Sequence, residues 1–241
     1  MREESVSVII PVYNGERYLD AAIASVLAQT APAGEIVVVD DGSTDRSAEV
    51  AQSFGPPVRC TVEPHAGLPG ALNRGVELAR GAFLAFLDAD DLWTADKLAR
   101  QLGALGANAH LAAVFAHVEQ FVSPELDPSL APTIPAGRET GPAYTAGTML
   151  IRTEAFHRIG HFDLRWQIGN FGDWYLRAQD AGLEHLMLPH VLLRRRLHRD
   201  NMGIRERASL GDYARILKGA IDRRRREQGA TTHPPLGPAG P

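Results

Sequence analysis

Three carboxylates crowd residues 88–91, Asp88-Ala89-Asp90-Asp91, directly after the apolar run Ala82-Phe83-Leu84-Ala85-Phe86-Leu87. Like charges this close raise one another's pKa and resist ionisation unless a cation neutralises them. Such an oxygen-rich cluster suits a divalent metal, open on one side to a phosphate-bearing substrate. The structural alternative is that these acids only cap a helix or turn, and the flat apolar strand feeding three of them argues against it. Residues 88–91 are therefore the expected chemical centre of the chain.

The elements around the cluster must hold it at one end of a sheet. Residues 6–12 are β-branched and continuous, the pattern of a strand buried on both faces. A helix is expected over 17–29 and a second buried strand over 35–39, ending in Asp40-Asp41-Gly42-Ser43-Thr44-Asp45. A third strand over 58–62, a helix over 68–79, a fourth strand over 82–87 and a helix over 94–105 complete the series. This alternation implies an α/β fold with a doubly wound, mostly parallel sheet and helices on both faces. Ligands in such sheets bind outside the carboxyl ends of the strands. Asp40, Asp41, Asp88 and Asp90 all fall there, so one cleft can hold them.

The second half is less regular. A strand is expected over 111–118, short helices over 153–159 and 171–181, an extended run over 186–197, and a helix with an apolar stripe over 205–226. Residues 123–142 hold five prolines and read as a loop or lid over the cleft. Residues 229–241 read as a disordered tail. The whole is expected to be one domain over 1–228, with no internal repeat.

Composition narrows the class. Hydrophobic content of 44%, charge of 22% and a net charge of −4 are ordinary globular values and give no sign of nucleic-acid binding. The single Cys60 excludes an intrachain disulfide and fits a reducing compartment. No apolar run approaches the ~20 residues that span a bilayer, and no signal peptide is visible. A cytoplasmic protein is expected. Between Arg194 and Arg226, however, twelve Lys/Arg face four Asp/Glu, so this basic end suits contact with the inner membrane face.

Four segments in order resemble the family 2 glycosyltransferases. They are Val6-Ser7-Val8-Ile9-Ile10-Pro11-Val12-Tyr13-Asn14, Val39-Asp40-Asp41-Gly42-Ser43-Thr44-Asp45, Ala71-Leu72-Asn73-Arg74-Gly75 and Phe86-Leu87-Asp88-Ala89-Asp90-Asp91-Leu92-Trp93. Gly172-Asp173-Trp174 and Arg196-Leu197-His198 extend the likeness more thinly. The resemblance implies a GT-A fold, with a nucleotide-sugar-binding half over 5–105, an acceptor-binding half over 106–205 and a C-terminal helix over 206–228. It implies transfer from a nucleotide-diphospho-sugar, a UDP-sugar above others, to an acceptor nucleophile.

The same resemblance assigns roles. Asp88 and Asp90 match the Asp-x-Asp pair, with Asp90 holding Mn2+ or Mg2+ and Asp88 touching the ribose or the metal shell. Pro11, Tyr13 and Asp41 match the base site, although Asp40 suits the carboxylate role as well. Gly67 matches the turn that closes over the nucleotide. Arg196 matches a diphosphate contact, and His198 either a metal ligand or a structural histidine. Asp173 matches the general base of an inverting displacement. The family usually has an acid before that base, and Gly172 stands there instead. The acceptor is left open among glycan, lipid carrier, metabolite and peptide. The C-terminal helix is expected either to pack on the core or to build a homodimer.

Two other readings share some of these features. A sugar nucleotidyltransferase needs a Gly-rich basic loop after the first strand, and Pro11-Val12-Tyr13-Asn14-Gly15 is not one. A degenerate, non-catalytic sugar- or nucleotide-binding module is favoured by Gly172 alone.

Overall fold

The computed structural model describes residues 5–124, 140–198, 201 and 210–231. Most of the expected lid therefore lies outside the described residues, as do 232–241 of the expected tail. One sheet organises the molecule. Its parallel half runs in the order β3, β2, β1, β4, from β1 (Val6–Val12), β2 (Glu35–Asp40), β3 (Val58–Val62) and β4 (Phe83–Phe86). Every residue of β1 is buried, as its unbroken apolar run requires.

Helices cover both faces. Val8, Ile10 and Val38 point towards α1 (Glu16–Leu27), α2 (Ser47–Ser53) and α4 (Lys97–Ala107). Ile9, Leu84 and Phe86 point the other way, into a core with α3 (Leu68–Leu78), α5 (Thr153–Ile159) and α6 (Asn170–Asp180). Alternate residues of one strand thus feed two cores, which fixes the register of the sheet.

The remaining strands are mixed. β4 pairs antiparallel with β8 (Leu150–Arg152), which pairs antiparallel with β6 (Ala113–Val122). The long β9 (His185–Leu197) runs parallel to β6 and also takes the two-residue β5 (Leu92–Trp93) on its far edge. β7 (Thr140–Ala143) pairs antiparallel with β6. Those last residues correct part of the loop expectation for 123–142. Pro142 is tolerated because β7 sits at the margin of the sheet, where a missing N–H breaks no second ladder.

The final helix, α7 (Leu210–Thr231), packs on α6 and extends into residues expected to be tail. No helix among the described residues is long and apolar enough to cross a membrane.

Candidate active site

β4 ends at Phe86, and the chain then turns so that Asp88, Asp90 and Asp91 converge. One carboxylate oxygen from each lies within 4.8 Å of the others. The Asp88 carboxyl is pushed up to about 6 by surrounding protein and by the charge of Asp90, with Arg195 opposing the rise. Its side chain still reaches solvent along the cleft, so water screens part of that effect. Asp91 is held well above the usual carboxylate range, first by burial and then by Asp90 and Asp88. Like charges crowded this way favour a cation among them.

β9 supplies the other wall. The Arg196 backbone N–H donates to Asp91 Oδ1 at 2.8 Å, and its Nε donates to the Asp90 carbonyl at 2.9 Å. Its guanidinium lies 4.8 Å from the ring centroids of both Tyr18 and Phe121. Arg196 thus braces the cluster as a buried strut. His198 Nε2 lies 2.8 Å from Asp90 Oδ2. Asn201 closes the corner: its Nδ2 donates to Asp90 Oδ2 at 3.1 Å, and its Oδ1 accepts the His198 backbone N–H at 2.7 Å. The expected pair of Asp90 and His198 is therefore brought together. Asn201 is a member that sequence reasoning missed, because an asparagine in a polar stretch carries no periodic signal.

A cavity of about 390 Å³ opens beside the cluster, lined by Asp88, Asp91, Gln120, Thr145, Arg195 and Tyr213 among others. Arg195 is exposed and faces this cavity opposite the acids. Strand alternation contained the signal, since Arg195 must point away from Arg194 and Arg196. Gln120 Oε1 is buried here with no hydrogen-bond partner among the described residues, an acceptor that a bound hydroxyl can satisfy.

The carboxyl ends of β1 and β2 form a second group. Asp41 Oδ1 and Oδ2 accept the backbone N–H groups of Ala66 and Gly67, at 2.7 and 2.9 Å. His65 Nδ1 lies 2.8 Å from Asp41 Oδ2, and the His65 ring lies 4.4 Å from that of the half-exposed Tyr13. Pro11 precedes them inside β1, paired in register with Val39. Gly67 has φ +82°, and a Cβ there would run into the Gln167 side-chain amide, so only glycine fits this turn without strain. Asp40 differs from Asp41: its Oδ1 accepts the Ser43 N–H, while its buried Oδ2 has no partner among the described residues.

Asp173 stands apart from both groups. It lies in the first turn of α6, is 5% exposed, and does not line the cavity. Its Oδ2 accepts Arg177 Nε at 2.9 Å, and its Oδ1 lies 3.9 Å from Arg223 Nη1. Position 172 is open: a Cβ added to Gly172 meets nothing within 4 Å. Three further residues serve the fold. Trp93 is 4% exposed and carries the Lys97 ammonium 4.3 Å above its ring. Asn73 clamps the Phe162 backbone through both its N–H and its carbonyl. Burial and the charge of Asp40 push the Cys60 thiol up to about 11, which suits a core residue rather than a nucleophile.

With the acids, the histidine and the group of Tyr13, Asp41 and His65 all at strand carboxyl ends, the comparison with known families is direct. The model of glycosyl transferase family 2 matches residues 7–167. The chain belongs to this family. An uncharacterized glycosyltransferase of Rickettsia typhi is 32% identical over 213 residues, covering 80% of this chain and 64% of the relative. A putative teichuronic acid biosynthesis glycosyltransferase of Bacillus subtilis is 42% identical over 101 residues, 40% of each chain. This chain thus matches less than two thirds of the length of either relative. Among solved structures, Staphylococcus aureus TarS 1–349 in complex with UDP-GlcNAc aligns with a TM-score of 0.62 at 20% identity, covering 80% of this chain and 59% of that one. A Pyrobaculum calidifontis mannosyltransferase in complex with GDP-Man and Mn2+ aligns at 0.63 with 21% identity, covering 81% and 58%. These likenesses show the GT-A fold.

Proposed function

We propose that this chain is a metal-dependent glycosyltransferase that moves a sugar from a UDP-sugar to an acceptor hydroxyl with inversion. The observation that carries this reading is the convergence of Asp88, Asp90, Asp91 and His198 at one cleft in a family 2 chain. Support for a nucleotide-sugar donor comes from the solved neighbours that hold UDP-GlcNAc and GDP-Man. Asp90 and His198 fit Mn2+ or Mg2+, because an oxygen and an imidazole nitrogen already face each other there and the acids repel without a cation. Such an ion, when bound, neutralises the diphosphate leaving group.

The protein's own groups complete the arrangement. Asp88 meets the ribose or the metal shell, and Arg196 fixes the wall against which the diphosphate rests. Tyr13 and His65 stack the base. Asp41 Oδ1 retains a lone pair beyond the one used by Ala66, suited to accept from uracil N3–H. Asp173 takes the acceptor proton as the oxygen attacks the anomeric carbon.

The test is thermal unfolding with Mn2+ and a panel of nucleoside diphosphates. A ligand at about 100 times its Kd adds roughly 2.7 kcal/mol, a rise of roughly 5–10 °C for a chain of this size. A metal-dependent rise with UDP is expected. A rise with GDP alone overturns the uracil assignment, and no rise with any nucleotide overturns the donor reading. A second reading, a binding module without transfer, is favoured by Gly172 and by the closed Asp173–Arg177 pair. That reading predicts the same UDP response with no UDP released from any UDP-sugar and acceptor panel.

A further inference from the structure

Two rungs of the sheet wall the cavity beside the acid cluster. β6 and β9 run parallel, and their register sets Val118 beside Leu193 and Gln120 beside Arg195. All four residues line the cavity, so strand alternation turns one apolar pair and then one polar pair to the same face. The rung between them faces the other way and is spent on itself: Arg194 Nε donates to Glu119 Oε2 at 3.2 Å. The Gln120/Arg195 rung is not spent. Gln120 Oε1 is shielded from water and has no hydrogen-bond partner among the described residues. The Arg195 guanidinium makes no hydrogen bond or ion pair among them either, and acts on Asp88 and Asp91 only through its charge. An acceptor and a donor on neighbouring strands thus face one space without meeting each other. That is the complement of a hydroxyl, which donates one hydrogen bond and accepts others. A sugar ring joins such hydroxyls to apolar C–H groups, which suit the Val118/Leu193 rung.

We propose that the Gln120/Arg195 rung reads a hydroxyl of the transferred sugar and selects that sugar among UDP-sugars. This rests on the transferase reading above. The donor's sugar is favoured over the acceptor because Asp88 and Asp91 line the same cavity, which places its contents beside the acids assigned to metal and ribose. Selectivity follows from burial. A sugar that lacks the matching hydroxyl leaves Gln120 Oε1 unpaired and dry, so one contact separates sugars that differ at a single carbon.

Titration calorimetry with Mn2+ and no acceptor tests this against UDP, UDP-glucose, UDP-galactose, UDP-N-acetylglucosamine and UDP-N-acetylgalactosamine. The native chain is expected to bind one of the four sugars more tightly than the rest. Gln120→Leu should weaken that sugar by about tenfold, narrow the spread among the four and leave UDP unchanged. Its unfolding temperature should not fall, because the change removes a buried polar atom that has no partner, and this separates lost recognition from lost fold. Arg195→Gln should likewise weaken the preferred UDP-sugar by about tenfold while UDP changes less. Unchanged affinities and ranking in Gln120→Leu overturn the proposal. So does an equal weakening of UDP in both variants, which would place the rung on the diphosphate. Absence of UDP binding by the native chain overturns the transferase reading itself, and the rung's role falls with it.

Discussion

Asp90 and Asp173 are the same residue type in opposite settings. Asp90 sits between two other carboxylates, with a histidine and an asparagine on its Oδ2. Asp173 sits between two arginines, one of them from the last helix. The first setting concentrates negative charge at the mouth of a cleft, where Arg195 offsets only part of it and an incoming cation can balance the rest. The second balances its charge internally and ties α6 to α7. An acid cluster that is left unbalanced points to a ligand, whereas an acid that is already paired serves the fold whatever else it does.

Asp90→Asn gives the largest effect and tests the first half of that contrast. Removing the cluster's central charge is expected to cut transfer by roughly 10³-fold, because several kcal/mol of leaving-group stabilisation go with the metal. The same change should raise the unfolding temperature of the metal-free protein, since Asp88 and Asp91 lose a like charge. Calorimetry with and without Mn2+ reads both effects. Near-normal turnover would remove the metal assignment.

Asp173→Asn tests the second half. Transfer should fall about 10²- to 10³-fold while the UDP-induced thermal shift is retained, as expected for a base that acts on the acceptor. Unlike Asp90→Asn, this change should destabilise the metal-free protein by about 2 kcal/mol, because Arg177 loses a buried partner. Equal loss of donor affinity would make Asp173 structural and leave the binding-module reading standing.

The two settings also differ in how far they can be read from sequence. Strands such as β1 and β2 are self-announcing, since each is a run of apolar residues buried on both faces. The cluster at 88–91 was readable for the same reason: acids that directly follow a buried strand must stand at the edge of the sheet where ligands bind. β5 and β8, of two and three residues, were not readable. They are strands only because β9, β4 and β6 offer them hydrogen bonds, and that information lies a hundred residues away for β5. Asp173's partners were hidden similarly. Arg177 is visible at i+4, but Arg223 reaches Asp173 only through the packing of α7. Sequence thus displays the half of the site built on local strand ends, and conceals the half built by long-range docking.

Lys97 is the cationic counterpart of the cluster, a fully buried amine with no acid beside it among the described residues. Its ammonium donates to Gln101 Oε1 at 2.6 Å and lies over Trp93, and burial pushes its pKa down to about 7. The unfolded chain, with an ordinary lysine near 10.4, binds more protons than the folded one between these values. Stability therefore rises with pH across that window, and the unfavourable contribution is complete below about 7. Compared with Lys97→Met, the native protein should gain about 1 kcal/mol between pH 7 and pH 8. Denaturant titrations of both proteins at the two pH values measure the difference. A pH-independent difference would mean that Lys97 stays charged and that Trp93 and Gln101 suffice to hold it.

Gly172→Glu is the smallest perturbation and the sharpest test of how the two settings are related. A Cβ at this position meets nothing within 4 Å. Replacing glycine inside a helix adds about 0.5–1 kcal/mol through propensity, and an acid in the first turn of α6 also suits the helix dipole. The new carboxylate would stand beside Asp173 and restore the acid pair usual in the family. If Asp173 is a base restrained by its arginines, a second acid that draws Arg223 away should raise kcat while leaving KM for the donor unchanged. If Asp173 only ties α6 to α7, the variant should gain stability with no change in kcat.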